Sequence, residues 1–233
     1  MKTTTEERVV DLTATSVREL NHALHQLRHV DGPGHWHVRE PRGAHSVACG
    51  LDVNVRVEVD GPTGYYCAGM NKAATVILHG NTGTGVAENM MSGFVHVRGN
   101  ASQSAGASGH GGLLVIDGNA GARCGISMKG IDIVVKGSVG HMSAFMAQAG
   151  SLVVCGDAGE ALGDSIYEAR LFVRGKAADL GADCIEKEMR EEHLRLLSDL
   201  LARANLDYAP GEFRRYGSAR RLYNFQKGHA GHY

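Results

Sequence analysis

The stretch Val95-His96-Val97-Arg98-Gly99-Asn100 returns 19 residues later as Leu114-Val115-Ile116-Asp117-Gly118-Asn119. The register extends in both directions. Gly61, Gly80, Gly99, Gly118, Gly137, Gly156 and Gly175 are each 19 residues apart. Four and two residues before them stand Val57/Val59, Val76/Leu78, Val95/Val97, Leu114/Ile116, Ile133/Val135, Leu152/Val154 and Leu171/Val173, all aliphatic. An unbroken period with alternating apolar residues predicts one short strand per repeat, every strand turning the same side inward. Val134, between two ladder positions, is expected to point outward and to tolerate a charge unless a partner or a helix covers it.

The period excludes other repeat architectures. A βαβ unit needs roughly 30 or more residues, a propeller blade roughly 40 or more, and 19 is not divisible by six as a hexapeptide helix requires. A coil of parallel strands remains. Crossovers between parallel strands are right-handed in nearly all proteins, so the expected fold is an all-β solenoid, a right-handed parallel β-helix of about seven 19-residue turns with helical flanks. At about 4.8 Å per strand the rod is roughly 30 Å long.

Other columns of the repeat read as structure too. Gly64, Gly83, Gly121, Gly140 and Gly159 fall three residues after marker glycines and predict a corner that needs positive φ or close backbone approach. Asn81, Asn100 and Asn119 share a column and predict a stacked amide ladder. Arg98, Asp117 and Lys136 share another and predict a solvated ladder of alternating charge, worth little per pair.

Three segments follow: residues 1–43, a strand and helix that cap the coil; residues 44–178, the coil; and residues 179–233, a helix followed by an arm. In the first, Val9 to Leu12 suits a short strand and His35-Trp36-His37 another. Ser16 and Glu19 form a capping box, and Val17, Leu20, Leu24 and Leu27 make one apolar stripe. His22, His25 and His29 fall on the opposite side, a polar face for water or a partner in preference to a metal site. In the last segment a helix is expected over about 182–204, with Ile185, Met189, His193, Leu196, Leu197, Leu200, Leu201 and Ala204 on its apolar face. It would cap the far end or pack along a side. Beyond it Phe213, Arg214, Arg215, Tyr216, Arg220, Arg221, Tyr223 and Phe225 form a basic, aromatic tail, and Tyr and Arg are favoured interface anchors. We read it as an arm that docks on another protein.

A formal net charge of −1 gives no field to draw nucleic acid or an anionic membrane. No apolar run approaches the roughly 18 residues of a membrane span, and no secretory leader pattern is present; the expected address is the cytoplasm. Cys49, Cys67, Cys124, Cys155 and Cys184 show no metal or redox spacing and read as reduced packers. No nucleophile elbow, metalloprotease motif or phosphate loop is present. Gly80-Asn81-Thr82-Gly83-Thr84-Gly85 is a corner of the repeat with no helix behind it. Asp52, Asp132, Asp157, Asp164 and Glu168 are scattered over different columns, where a carbohydrate-cleaving β-helix would gather its acids.

On the motifs Val95-His96-Val97-Arg98-Gly99-Asn100, Gly118-Asn119-Ala120-Gly121 and Val153-Val154-Cys155-Gly156-Asp157-Ala158-Gly159, residues 44–178 resemble the GXGXG domain of the glutamate synthase large subunit. The tail Phe213 to Tyr223 and the free-standing length resemble the separate β-helix subunit of split, glutamate synthase-like systems, N-methylglutamate synthase of methylamine metabolism among them. The resemblance implies a non-catalytic scaffold with no cofactor of its own, in a cytoplasmic hetero-oligomer. Its partners would be a class II glutamine amidotransferase-like subunit and a synthase subunit carrying FMN and an iron–sulfur cluster. Such a complex makes N-methylglutamate from methylamine and glutamate and releases ammonia. The β-helix subunit of formylmethanofuran dehydrogenase shares the repeat and is the second reading; a stand-alone carbohydrate-active β-helix enzyme is the third, from another class.

Overall fold

The computed structural model describes residues 7–27 and 34–220. The strands are β1 (Glu7–Asp11), β2 (Gly34–Arg39), β3 (Val55–Asp60), β4 (Thr75–Leu78), β5 (Phe94–Val97), β6 (Leu113–Ile116), β7 (Lys129–Val135), β8 (Ala149–Val154), β9 (Arg170–Val173), β10 (Cys184–Lys187) and β11 (Arg214–Ser218). The helices are α1 (Val17–His25) and α2 (Glu191–Arg203). All strands join one sheet in the order β1-β2-β3-β4-β5-β6-β7-β8-β9-β11-β10. From β1 to β9 every pairing is parallel. The chain is a parallel β-solenoid of about seven turns, as the repeat predicts.

The register reproduces the sequence period: Val57, Val76, Val95, Leu114, Ile133, Leu152 and Leu171 are successive partners across the sheet. All fourteen ladder residues are fully buried. A second, thinner ladder of single bridges links Thr63, Thr82, Ala101, Ala120, Val139, Ala158 and Ala177 on another side of the coil. The sheet starts earlier than Ala44, because β2 already pairs in register with β3 and β1 with β2.

Helix α1 begins with the predicted capping box: Glu19 N–H donates to Ser16 Oγ at 3.2 Å and Ser16 N–H to Glu19 Oε2 at 2.8 Å. Its stripe places Leu20 and Leu24 in the same core as Trp36, Val38 and Val47. Asn21 clamps the first turn, donating to the Ser46 carbonyl at 2.7 Å and accepting from Ala48 N–H at 3.0 Å.

The glycine columns act by close approach. Gly64, Gly83, Gly121, Gly140 and Gly159 are not in the positive-φ region. A Cβ on Gly140 would lie 2.6 Å from the Ala122 nitrogen, and one on Gly80 would lie 2.6 Å from the Gly61 carbonyl carbon. Positive φ recurs five, seven and nine residues after the six markers from Gly61 to Gly156: Tyr66, Ala68 and Met70; Gly85, Ala87 and Asn89; and so on to Ala161, Gly163 and Ser165. Left-handed backbone costs a non-glycine residue roughly 1–2 kcal/mol. It is held because alternate N–H groups bond to opposite neighbouring turns: Tyr66 to the Thr84 carbonyl (2.9 Å), Ala68 to that of Val47 (2.9 Å), Met70 to that of Glu88 (2.7 Å).

The asparagine column is a relay of side chain to backbone. Asn81 Oδ1 accepts from Asn100 N–H, Asn100 Oδ1 from Asn119 N–H, and Asn119 Oδ1 from Ser138 N–H, each at 2.8 Å. Ser138 and Asp157 pass it on to Lys176.

The C-terminal segment departs from expectation. The expected helix over 182–204 is shorter, and Cys184–Lys187 is instead a strand. The i, i+4 spacing of Ile185, Met189 and His193 suits a helix, but antiparallel pairing with β11 decides the conformation. Helix α2 packs along a side: its Leu197, Leu200 and Leu201 cluster with Leu113, Val115, Val134, Val153 and Phe172 on the outer side of the sheet. Val134 therefore points outward, as the alternation predicts, and is fully buried because α2 covers it.

Candidate partner-docking surface

The outer side of the sheet is divided in two. Over β6 to β9 an apolar cluster of Leu113, Val115, Val134, Val153 and Phe172 lies under α2 and Phe213. Over β2 and β3 they are polar and open. His35 and His37 from β2, Arg56, Glu58 and Asp60 from β3, and His79 just after β4 face outward together, with Glu7 of β1 beside them. His35 Nε2 lies 3.3 Å from Glu58 Oε1, and His79 Nε2 lies 2.8 Å from Glu58 Oε2. His37 reaches Asp60 at 2.6 Å and Glu7 at 3.3 Å. Arg56 Nε donates to Glu58 at 2.8 Å. The His79 hydrogen bond, with Arg56 assisting and burial opposing, lowers the Glu58 carboxyl to about 2. The sequence alone does not reveal this cluster, because its residues come from three columns and from β1 and β2, which lie outside the 19-residue period.

One turn on, the predicted charge ladder is present and larger than expected. Asp117 lies 2.8 Å from Lys136 Nζ and 3.7 Å from Arg98. It also bonds His96 Nε2 at 2.8 Å. Burial lowers the His96 pKa, opposed by the bond to Asp117.

Among the described residues, the carboxylates that a glycosidase would use are not paired. That chemistry needs one carboxyl raised beside another that is ionised. Burial raises Asp132, on the sheet near α2, and Glu88, on a turn; they occupy different sides of the coil. The cysteines are apolar packers. Burial pushes the Cys67 and Cys124 thiols up to about 12 and those of Cys155 and Cys184 to about 11, far from the range of a reactive thiolate. All five are free. His25 is exposed, as expected of the polar face, and its Nε2 lies 2.7 Å from the Cys49 carbonyl oxygen. His22 is exposed, and His29 lies outside the described residues.

The expected docking arm is partly a strand. Phe213 is buried in the cluster beneath α2, and Tyr216 is buried in the main core. β11 pairs antiparallel with β9 through Arg215↔Phe172 and Tyr216↔Leu171. Phe213 and Tyr216 are thus anchors for the chain itself. Arg214 is exposed, 3.9 Å from Glu186. Arg215 Nε donates to the Glu188 carbonyl at 2.9 Å, and Arg220 Nε to Asp183 at 2.9 Å. Arg221, Tyr223 and Phe225 lie outside the described residues. On the turns, Tyr65, Tyr66 and Met70 are exposed together near the N-terminal end, with Tyr65 stacked on His45 at 4.5 Å.

No described helix is long and apolar enough to cross a membrane. No family model matches the sequence, and no solved structure matches it. Among curated proteins, the chain is 66% identical over 218 residues to Protein GlxC of Rhizobium meliloti (strain 1021), covering 93% of this chain and 96% of that one.

Proposed function

The chain belongs to the GlxC family, and on that footing we propose that it is the β-helix subunit of a glutamate synthase-like heteromeric enzyme, specifically N-methylglutamate synthase. In this reading it is a scaffold between a class II glutamine amidotransferase-like subunit and a synthase subunit that carries FMN and an iron–sulfur cluster. The complex converts methylamine and L-glutamate to N-methyl-L-glutamate and ammonia in the cytoplasm. The observation that carries the reading is the 19-residue glycine register, built as a close-packed stack whose ladder residues are all buried. Such a rod is rigid and offers flat, chemically distinct sides. The Glu58–His79 side and the Tyr65–Tyr66–Met70 patch are the surfaces we assign to the partners, because exposed aromatics and ordered charges favour specific docking.

Co-expression of the three chains with an affinity tag on this one tests the assignment. The flavin and amidotransferase subunits are expected to co-purify, and N-methylglutamate formation from methylamine is expected to require this chain. Failure to co-purify, or unchanged turnover without it, overturns the proposal.

A further inference from the structure

Where the sheet reverses direction, between β9, β11 and β10, a cavity of about 250 Å3 opens to the surface. Its lining includes Arg170, Lys187, Arg215 and Arg220, with Glu168 as the carboxylate. Topology brings the cations together. Arg170 opens β9, Arg215 lies on β11 opposite Phe172, and Lys187 lies on β10 opposite Arg215. Arg170 and Phe172 are two residues apart, so Arg170 shares the outer side of the sheet with Arg215.

Gly217 makes the space. It is two residues along β11 from Arg215 and also lines the cavity. A Cβ there would find nothing closer than the Ala169 carbonyl oxygen at 3.8 Å and Lys187 Cδ at 3.9 Å.

The cations are short of counter-charge. Arg220 is paired with Asp183, but among the described residues no carboxylate lies within ion-pair distance of Arg170, Lys187 or Arg215. Glu168 leaves an excess of positive charge. Arg170 Nε is buried with no hydrogen-bond partner among the described residues, and leaving a buried charged donor unpaired is costly. Burial lowers the Arg215 pKa, with Arg190 and Arg170 adding repulsion and Glu192 opposing.

We propose that this cavity binds a small oxyanion, a phosphate or a dicarboxylate, held by Arg170, Lys187 and Arg215. Guanidinium forks match both anions and give charge-assisted hydrogen bonds. The ligand's oxygens meet the positive charges that line the cavity and separate cations that otherwise repel. The chemistry of the cavity is independent of which enzyme the chain serves.

Thermal melts of the full chain in sodium phosphate, sodium succinate and sodium chloride at matched ionic strength test it. Phosphate or succinate at ten times its dissociation constant is expected to raise the melting temperature by about 2–4 °C over chloride, and whichever anion does so identifies the ligand class. Lys187→Gln is expected to weaken that anion about tenfold in calorimetric titration. Gly217→Val fills the cavity while suiting a strand, and is expected to abolish the anion-dependent shift while leaving the melt in chloride unchanged. Equal melts in all three salts overturn the proposal. So does an anion-dependent shift that survives both substitutions; if Gly217→Val does not fold, Lys187→Gln decides alone.

Discussion

Glu58 accepts a hydrogen bond from His79 at 2.8 Å across neighbouring turns of the coil, and this contact is the largest cause of the low pKa of the Glu58 carboxyl. The folded-state value is about 2, against an ordinary 4.5. A depressed carboxylate favours the fold above its unfolded value and loses that contribution as pH falls toward the folded one. Wild type should therefore exceed Glu58→Gln in urea stability at pH 7, with the difference shrinking between pH 4.5 and 2. A difference that persists at pH 2 contradicts the assignment.

His96 titrates in another window. Burial lowers its pKa, so the unfolded chain takes up the proton first and stability falls as pH drops below 6.5. His96→Gln should flatten the stability profile just below neutrality and leave the Glu58 step intact. Chemical denaturation at intervals between pH 7.5 and 5 measures this.

Ile133→Asp and Val134→Asp should be comparably damaging, each on the order of 4 kcal/mol or more, because both bury an unpaired carboxylate. Leu200→Ala, on the covering helix, should cost about 2–5 kcal/mol. Near-neutral Val134→Asp would mean that α2 does not pack on the sheet.

Gly140→Ala should destabilise by a few kcal/mol, since its Cβ would meet backbone of the preceding turn at 2.6 Å. Gly211→Ala, where nothing lies within 4 Å, should be close to neutral. Melting temperatures compare the two, and equal effects would contradict stacking as the role of the Gly140 column.

Tyr216→Ala should cost about 3–5 kcal/mol, as removal of a large aromatic from a core does, whereas Arg214→Ala should leave stability within about 0.5 kcal/mol. Truncation from Phe213 onward should lower the melting temperature, because it strips β11 from β9 and uncovers the cluster beneath α2. A truncated chain that melts like wild type would restore the free-arm reading for this segment.

The period makes the coil legible because a solenoid repeats its constraints: each ladder residue meets its equivalent one turn away. Val57 to Leu171 can be aligned without knowing where the chain bends. Positive φ is harder to place. The glycine column at Gly121 and Gly140 points to it, but glycine there answers to crowding. The better marker is the left-handed column Ala68, Ala87, Gly106, Gly125, Ala144 and Gly163, held to alanine or glycine because it faces the core, where Ala68, Ala87 and Ala144 are fully buried. The segments outside the period are the least legible. Ile185 and Met189 keep a helical spacing although the strand partner of Cys184–Lys187 lies some 30 residues onward. The basic cavity depends on that same long-range pairing, so its cations appear in the sequence only as scattered arginines and a lysine.

A parallel coil has a direction, and its last rung is a template on which the first strand of another molecule can continue the stack. Here β11 runs against β9, and β10 runs back again. The edge strand β10 therefore runs in the direction of the coil again, but it is only four residues long and carries Glu186 and Lys187. Short, charged edges resist strand addition. That short, charged edge is expected to disfavour head-to-tail continuation of the stack, so that a sequence built to stack on itself stays a discrete particle.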